Sequence, residues 1–120
     1  MADGALRTQV GIIGAGPAGL MLARLLRLAG IDSVIIENRS EEYIYNRIRA
    51  GLMEHWATDL LTDVGVGARM AREGLPHWGI NIGINGDLHR LDFKKLVDKR
   101  VTIYGQQEVV KDLVEGRPAP

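Results

Sequence analysis

Three glycines at fixed spacing are the residues of this chain best suited to holding a phosphate group. They stand in the hexapeptide GAGPAG at residues 14–19, which fits the pattern G-x-G-x-x-G between an apolar strand and a leucine-rich helix. In this pattern the first glycine permits a tight turn, the second lets a pyrophosphate approach the backbone, and the third lets the helix pack close to the strand. Amide groups at the helix start and the positive end of its dipole would face the phosphates. The sequence therefore predicts a dinucleotide at this turn.

Glu37 is the second residue whose position indicates nucleotide chemistry. It ends a second apolar strand and follows the glycines at close to the usual spacing of about 20 residues. A carboxylate there can accept hydrogen bonds from the ribose hydroxyls of an adenosine, whereas it would repel a 2′-phosphate. The turn is therefore predicted to hold FAD or NAD rather than NADP. The alternative interpretation is a packing turn followed by an incidental surface glutamate, and the flanking strand and helix argue against it.

The elements on either side of the glycines predict how the turn is positioned. Residues 9–13 form a short apolar run typical of a buried strand. Pro17 suits the first position of a helix, and Gly30 suits its C-terminal cap. With the β-branched run at residues 34–36, this makes a βαβ unit, which implies parallel strands and a right-handed crossover. We therefore predict an α/β chain with a Rossmann-like βαβ fold.

The chain departs from a simple NAD-binding fold after Glu37. Such a fold would continue with a second helix and a third parallel strand, but residues 38–51 are polar and irregular. The later patterns predict a helix over residues 52–64, a short helix around residues 68–73, a hairpin over residues 77–93, a strand over residues 100–105 and a helix over residues 107–115. The hairpin is centred on Asn85-Gly86, a strong turn signal. An insertion of this kind favours a flavoprotein.

The pentapeptide RIRAG at residues 47–51 supplies a further candidate for anion binding. Arg47 and Arg49 would point the same way in an extended segment, and their guanidinium forks suit a pyrophosphate or a carboxylate. Two solvated surface arginines are the alternative, and composition alone gives the two interpretations equal weight.

Five stretches of the chain resemble the N-terminal part of the p-hydroxybenzoate hydroxylase family, the class A flavin-dependent aromatic monooxygenases. They are TQVGIIGAGPAGL, AGIDSVIIE, RIRAG, DLLTDVGVGARMAREGL and TIYGQQEVVKDL, and they cover most of residues 8–115 in order. The resemblance implies that residues 1–120 are the N-terminal part of an incomplete FAD-binding domain. It also implies that the hairpin, taken as residues 76–93, belongs to a substrate-domain sheet.

The resemblance assigns roles to individual residues. It implies that the FAD contacts are Gly14, Gly16, Pro17, Ala18, Gly19, Glu37, Arg47, Ile48, Arg49, Ala50, Gly51 and Gln106, and it implies no metal site. In it, Arg49 lies near the pyrophosphate and the nicotinamide route, and Gln106 bonds the FAD linker. His77 corresponds to a histidine in a proton path, although a lone histidine beside a strand is more often packed or exposed. Asn38 replaces a frequent arginine, which leaves NADPH and NADH both open as the reductant.

The reaction that the resemblance implies is hydroxylation of 4-hydroxybenzoate to 3,4-dihydroxybenzoate, with FAD, NADPH or NADH, and O2. It implies a small aromatic acid as the substrate and a homodimer for the full-length form. In the family, the groups that hold the phenol lie further along the chain. We therefore expect a part of a longer enzyme, inactive alone. The alternatives are a non-catalytic module that binds FAD, NAD or ADP and a fragment that pairs through an exposed strand edge.

Composition excludes several other classes of function. The 15 basic and 15 acidic side chains cancel, so we expect neither nucleic acid nor an anionic membrane as a partner. The absence of cysteine excludes disulfides, thiolate metal sites and cysteine nucleophiles. The start of the chain carries no apolar signal-peptide core and no stretch could span a bilayer, so a cytoplasmic location is expected. The closing GRPAP should not continue a helix.

Overall fold

The computed structural model of the protein describes residues 4–117, which form two compact units. One unit contains residues 4–47 and 107–117, and residues 48–106 form the other. In chain order the elements are β1 (Val10–Ile13), α1 (Pro17–Leu28), β2 (Ser33–Ile36), α2 (Glu41–Asn46), β3 (Leu52–Glu54), α3 (His55–Asp63), α4 (Ala68–Glu73), β4 (Leu75–His77), β5 (Gly79–Ile84), β6 (Asp87–Asp92), α5 (Phe93–Val97), β7 (Val101–Ile103) and α6 (Gln106–Glu115).

The first unit is built on the predicted βαβ arrangement. β1 and β2 pair in parallel, with Val10 opposite Ser33 and Ile13 opposite Ile36, and α1 connects them. Within residues 4–117 these two strands pair with no third strand. The α/β class and the incomplete Rossmann-like fold are therefore confirmed.

α1 begins and ends where the sequence predicts. Gly16 precedes it with extended backbone dihedrals, and Pro17 occupies its first turn, where a missing amide hydrogen removes no helical bond. Gly30 follows it at a φ of +72° and donates its amide to the carbonyl oxygen of Arg27. A glycine in the left-handed region is a common way to end a helix.

The core of the first unit draws on both of its chain segments. Its buried apolar side chains include Ile12, Leu20, Ala23, Val109, Val110 and Leu113. Arg24 of α1 also donates a hydrogen bond of 2.9 Å from Nη1 to the carbonyl oxygen of Gly116, just after α6. The predicted final helix is present as α6. Residues 116 and 117 of the closing GRPAP segment follow that helix. The rest of the segment, residues 118–120, lies outside the described residues.

The second unit contains an antiparallel sheet in the order β3-β7-β4. Leu52 and Leu75 both lie opposite Ile103, and Pro76 lies opposite Thr102. β4 was not predicted as a separate strand, since residues 76 and 77 were assigned to the hairpin. Pro76 cannot donate to a ladder, and the edge position of β4 explains how the proline is tolerated. The buried apolar side chains of this unit include Leu61, Val64, Val66, Met70 and Tyr104.

The predicted helix over residues 52–64 is wrong at its beginning. Residues 52–54 form β3, and the helix starts only at His55. Leu52 and Met53 fit the helical spacing of apolar residues, but their backbone instead joins the ladder with β7. Pairing with a strand that is distant in sequence thus overrides the local pattern, as strand formation commonly does. The short helix around residues 68–73 is confirmed as α4.

The predicted hairpin is confirmed as β5 and β6, with a two-residue turn in which both Asn85 and Gly86 have positive φ. Ile80, Ile82 and Ile84 share one face of β5 and remain partly exposed. The hairpin begins at Gly79, since His77 belongs to β4. Whether it joins a substrate-domain sheet stays a prediction, and within residues 4–117 it pairs only with itself.

α5 is an element that the sequence patterns did not predict. The Asp92 side chain caps it by accepting a hydrogen bond of 3.0 Å from the Lys95 amide. A helix of five residues is too short to show a helical period, so the capping aspartate was its main signal.

In the part of the chain that the structure describes, no helix has the length and apolar character needed to cross a membrane.

Candidate dinucleotide-binding site

The first and third glycines of the turn are required by the fold itself. Gly14 has a φ of +103°, a backbone conformation that residues with a side chain rarely adopt. A Cβ atom on Gly19 would collide with the carbonyl oxygen of Gly14. α1 therefore packs against the end of β1 at a distance that only glycine permits, as the motif predicts.

Gly16 differs from the other two glycines, because neither strain nor packing demands a glycine there. Its φ of −76° suits any residue, and no protein atom lies within 4 Å of the position that a Cβ would take. A missing side chain that faces open space is what a ligand approaching the backbone would need. The local geometry therefore fits a bound pyrophosphate beside Gly16.

The backbone amides of the turn divide into two groups. The amide of Gly14 donates to the carbonyl oxygen of Ile36 at 2.8 Å, and the amide of Ala15 donates to Glu37 Oε2 at 2.9 Å. Among residues 4–117 we find no acceptor for the amides of Gly16, Ala18 and Gly19. Gly14 thus shapes the turn, and three later amides stay available to phosphate oxygens, while the FAD contact of Gly14 stays a prediction.

The Glu37 carboxylate is held by the backbone on both of its oxygens. Oε2 accepts from the Ala15 amide, and Oε1 accepts from the Arg39 amide at 2.9 Å. These bonds, that of Ala15 first, lower the pKa of Glu37 below its ordinary value of 4.5, against a smaller opposing effect of burial. Each carboxylate oxygen can accept a second hydrogen bond. Glu37 can therefore bind two ribose hydroxyls without releasing either amide.

Arg47 lies beside the aromatic ring of Tyr43, a residue outside the motifs described above. The Cζ atoms of Arg39 and Arg47 lie 5.1 Å and 5.7 Å from the centroid of the Tyr43 ring. These distances are within the range of cation–π attraction. The two arginines flank α2 at four positions on either side of Tyr43, and this even spacing is a signal in the sequence that could have indicated the cluster. Arg47 belongs to the first unit and Arg49 to the second.

Several of the other predicted contacts come together in the second unit. The carbonyl oxygen of Ala50 accepts from the Gln106 amide at 3.3 Å, and that of Gly51 accepts from the Tyr104 amide at 2.7 Å. A Cβ on Gly51 would lie 3.2 Å from the Cα of Gly105. The segments that carry Gly51 and Gln106 are thus adjacent in space, although residues 52–105 lie between them in the sequence.

Three predicted residues remain without such contacts. Ile48 and Arg49 precede β3 and are exposed, and Ile48 keeps 82% of its surface accessible. His77 lies on the edge strand β4 opposite Val101, and it is exposed as well. The role of His77 in a proton path and the flavin contacts of Ile48 and Arg49 therefore stay predictions.

Comparison with known proteins gives a match over nearly the whole chain. The sequence profile of the family described as FAD binding domain matches residues 7–119. The p-hydroxybenzoate hydroxylase of Acinetobacter baylyi is 50% identical to this chain over 113 residues, which make up 93% of this chain and 28% of that protein. Most of that relative's length thus has no counterpart here.

Solved structures share the fold at lower sequence identity. Pseudomonas aeruginosa PqsL, solved in complex with 2-aminobenzoylacetate, matches 90% of this chain with a TM-score of 0.81 and 21% identity, over 30% of its own chain. The p-nitrophenol 4-monooxygenase PnpA from Pseudomonas putida matches 88% with a TM-score of 0.70 and 23% identity, over 27% of its own chain. At these identities the similarity establishes the fold.

Alanine at position 16 should block the nucleotide without harming the fold. We expect Gly16→Ala to keep or raise the free energy of unfolding, by up to about 1 kcal/mol, because the backbone conformation there is unstrained. FAD affinity should fall by about tenfold or more, since the methyl group enters the space beside the free amides. Urea unfolding and fluorescence titration with FAD measure the two effects. Gly19→Ala is the control and should lose about 1–3 kcal/mol of stability by overpacking. Unchanged FAD affinity in Gly16→Ala would contradict the assignment.

The low pKa of Glu37 should make its stabilising effect depend on pH. Because the folded-state pKa lies below the ordinary value of 4.5, the ionised carboxylate stabilises the fold above that pH, and the effect is lost as the pH falls through the folded-state pKa. The stability difference between the wild type and Glu37→Gln should be constant near neutral pH and shrink below about pH 4.5. Thermal unfolding across this range tests it. A difference independent of pH would show that the charge is not involved.

Proposed function

This chain belongs to the FAD-binding domain family, and from that premise we propose that it forms the nucleotide-binding portion of an FAD-dependent aromatic monooxygenase that hydroxylates 4-hydroxybenzoate to 3,4-dihydroxybenzoate. FAD is the cofactor of the family. The Acinetobacter baylyi relative, at 50% identity, supports the choice of substrate. The reaction of the whole protein is part of the proposal, since the chain spans 28% of that relative's length.

The observation that carries the proposal is the complementarity of the glycine turn to a dinucleotide. The free amides of Gly16, Ala18 and Gly19 sit at the positive end of the α1 dipole, where they would bind the pyrophosphate. The ionised Glu37 would accept the adenosine ribose hydroxyls at the end of β2. Donors for an anion and acceptors for a sugar thus stand in the order in which a dinucleotide presents these groups.

The resemblance also assigns cofactor contacts to residues of the second unit. Ala50, Gly51 and Gln106 lie on adjacent backbone segments, and Arg49 next to them would supply a guanidinium for the pyrophosphate. His77 on β4 is the residue proposed to relay a proton between a bound phenol and solvent. The support for these five roles is the resemblance in sequence, together with the adjacency of the two segments.

The bound flavin would supply the redox chemistry, by taking a hydride from NADPH or NADH and delivering electrons to O2, so that one oxygen atom enters the ring and the other leaves as water. The residues of this chain would bind and orient the cofactor. Glu37 would favour an adenosine with a free 2′-hydroxyl and repel one with a 2′-phosphate. The turn is therefore proposed as the site of FAD, while a nicotinamide nucleotide would bind elsewhere and transiently.

Ligand preference separates the flavoprotein from a simpler nucleotide-binding module. We expect the chain to bind FAD more tightly than ADP, because the flavin half of FAD offers contacts that ADP lacks, and to bind NAD more weakly than FAD. Isothermal titration with the three ligands measures this, and Gly16→Ala is the control for binding at the turn. A preference for NAD, or equal affinity for FAD and ADP, would favour the non-catalytic module instead.

A chimaera tests the proposed reaction. We expect residues 7–119 of this chain to function in place of the matching segment of the Acinetobacter baylyi hydroxylase, with FAD retained and 4-hydroxybenzoate converted to 3,4-dihydroxybenzoate. Product formation is followed by chromatography, and the same chimaera with Gly16→Ala is the control. A chimaera that retains FAD and oxidises NADPH or NADH but does not hydroxylate 4-hydroxybenzoate would contradict the substrate proposal.

A further inference from the structure

Two consecutive hydrogen bonds tie the glycine turn to the end of β2. The Gly14 amide bonds the Ile36 carbonyl oxygen at 2.8 Å, and the Ala15 amide bonds Glu37 Oε2 at 2.9 Å. The first of these uses backbone atoms only, so any residue at position 36 would preserve it. The second depends on a side chain. The second hydrogen bond therefore requires glutamate, or another side chain that can accept, at position 37.

The other carboxylate oxygen of Glu37 is also held by a backbone hydrogen bond. Glu37 Oε1 accepts from the Arg39 amide at 2.9 Å, which orients the carboxylate toward the turn. Ala15 is buried, with 8% of its surface accessible, so its amide has little access to water as an alternative partner. Leaving a buried amide without an acceptor lowers the stability of the fold. Without Glu37 the Ala15 peptide would rotate to find a new partner, and the amides that follow it would change direction.

We propose that Glu37 is a positioning residue for the pyrophosphate, in addition to any contact that it makes with the ribose. By holding the Ala15 amide, it fixes the turn so that the amides of Gly16, Ala18 and Gly19 face the ligand before the ligand arrives. Such preorganisation raises affinity because less ordering is required on binding. This inference rests on the proposed function, since it assumes that a dinucleotide binds at this turn.

Positioning and simple electrostatics predict opposite effects for a ligand that lacks ribose hydroxyls. If Glu37 acted on the phosphates only by its negative charge, its removal would relieve repulsion and raise their affinity. If Glu37 fixes the turn, its removal lowers the affinity for every ligand with a pyrophosphate. 2′,3′-Dideoxyadenosine diphosphate keeps the pyrophosphate and the adenine but offers no hydroxyl to Glu37, so it separates the two roles.

The experiment compares ADP and 2′,3′-dideoxyadenosine diphosphate on the wild-type chain, Glu37→Ala, Glu37→Gln and the charge control Glu42→Ala. Glu42 is an exposed residue in the first turn of α2. We expect Glu37→Ala to weaken binding of the dideoxy ligand by about tenfold, the size expected for one lost hydrogen bond, and to weaken ADP further. Glu37→Gln, which keeps one carbonyl acceptor, should lose less, and Glu42→Ala should match the wild type.

Unchanged or tighter binding of the dideoxy ligand by Glu37→Ala would overturn the positioning role while leaving the proposed function intact. A wild-type chain that binds neither FAD nor ADP would overturn the proposed function, and the positioning role with it. The two failures are therefore distinguishable in one set of titrations.

Hydrogen exchange gives a second measurement that needs no ligand. The Ala15 amide should exchange at least about tenfold faster in Glu37→Ala than in the wild type, because its acceptor is gone. The Gly14 amide, bonded to the Ile36 carbonyl, is the internal control and should change little. Equal exchange at Ala15 in both proteins would overturn the inference. If Glu37→Ala does not fold, Glu37→Gln is measured instead, and a smaller acceleration at Ala15 is expected because its side chain keeps a single carbonyl acceptor.

Discussion

The close packing of α1 on the end of β1 is the constraint on which the candidate site depends. It requires glycine at position 19, because a Cβ there would strike the Gly14 carbonyl oxygen. Since the helix starts directly after the strand, its unpaired amides lie at the carboxyl edge of the β1–β2 pair. That edge is where ligands bind in open α/β sheets. The chemistry of the turn thus follows from a steric requirement of the fold.

The parallel pairing of β1 and β2 brings the end of β2 beside the turn. Parallel pairing in the observed register places Ile13 beside Ile36, so the residues that follow each strand must be neighbours. Glu37 is the residue that follows Ile36, and Ala15 lies two residues after Ile13. Strand register therefore explains why a carboxylate remote in sequence meets a turn amide. The residues proposed to bind the sugar and those proposed to bind the phosphates are therefore connected through that pairing.

Local patterns predicted the βαβ unit and the hairpin, because glycines at positive φ and the Asn85-Gly86 turn leave strong signals in sequence. They did not predict β3, whose formation depends on β7, a strand nearly fifty residues later in the chain. They also could not reveal that Glu37 accepts the Ala15 amide, since this depends on the rotamer of one side chain. The cluster of Arg39, Tyr43 and Arg47 could have been predicted, because its regular spacing of four residues is visible in the sequence.

The discontinuity of the first unit has a consequence for how the protein is made. Leu113 of α6 is among the most buried residues of the chain, and Arg24 of α1 bonds the Gly116 carbonyl, although 92 positions separate them. During translation, β1, α1 and β2 emerge early and must wait for residues 48–106 before α6 can complete their core. Contacts this distant in sequence slow folding, and chains that wait are exposed to misassembly. The residues of the candidate site therefore leave the ribosome long before α6, the helix that completes the core around them.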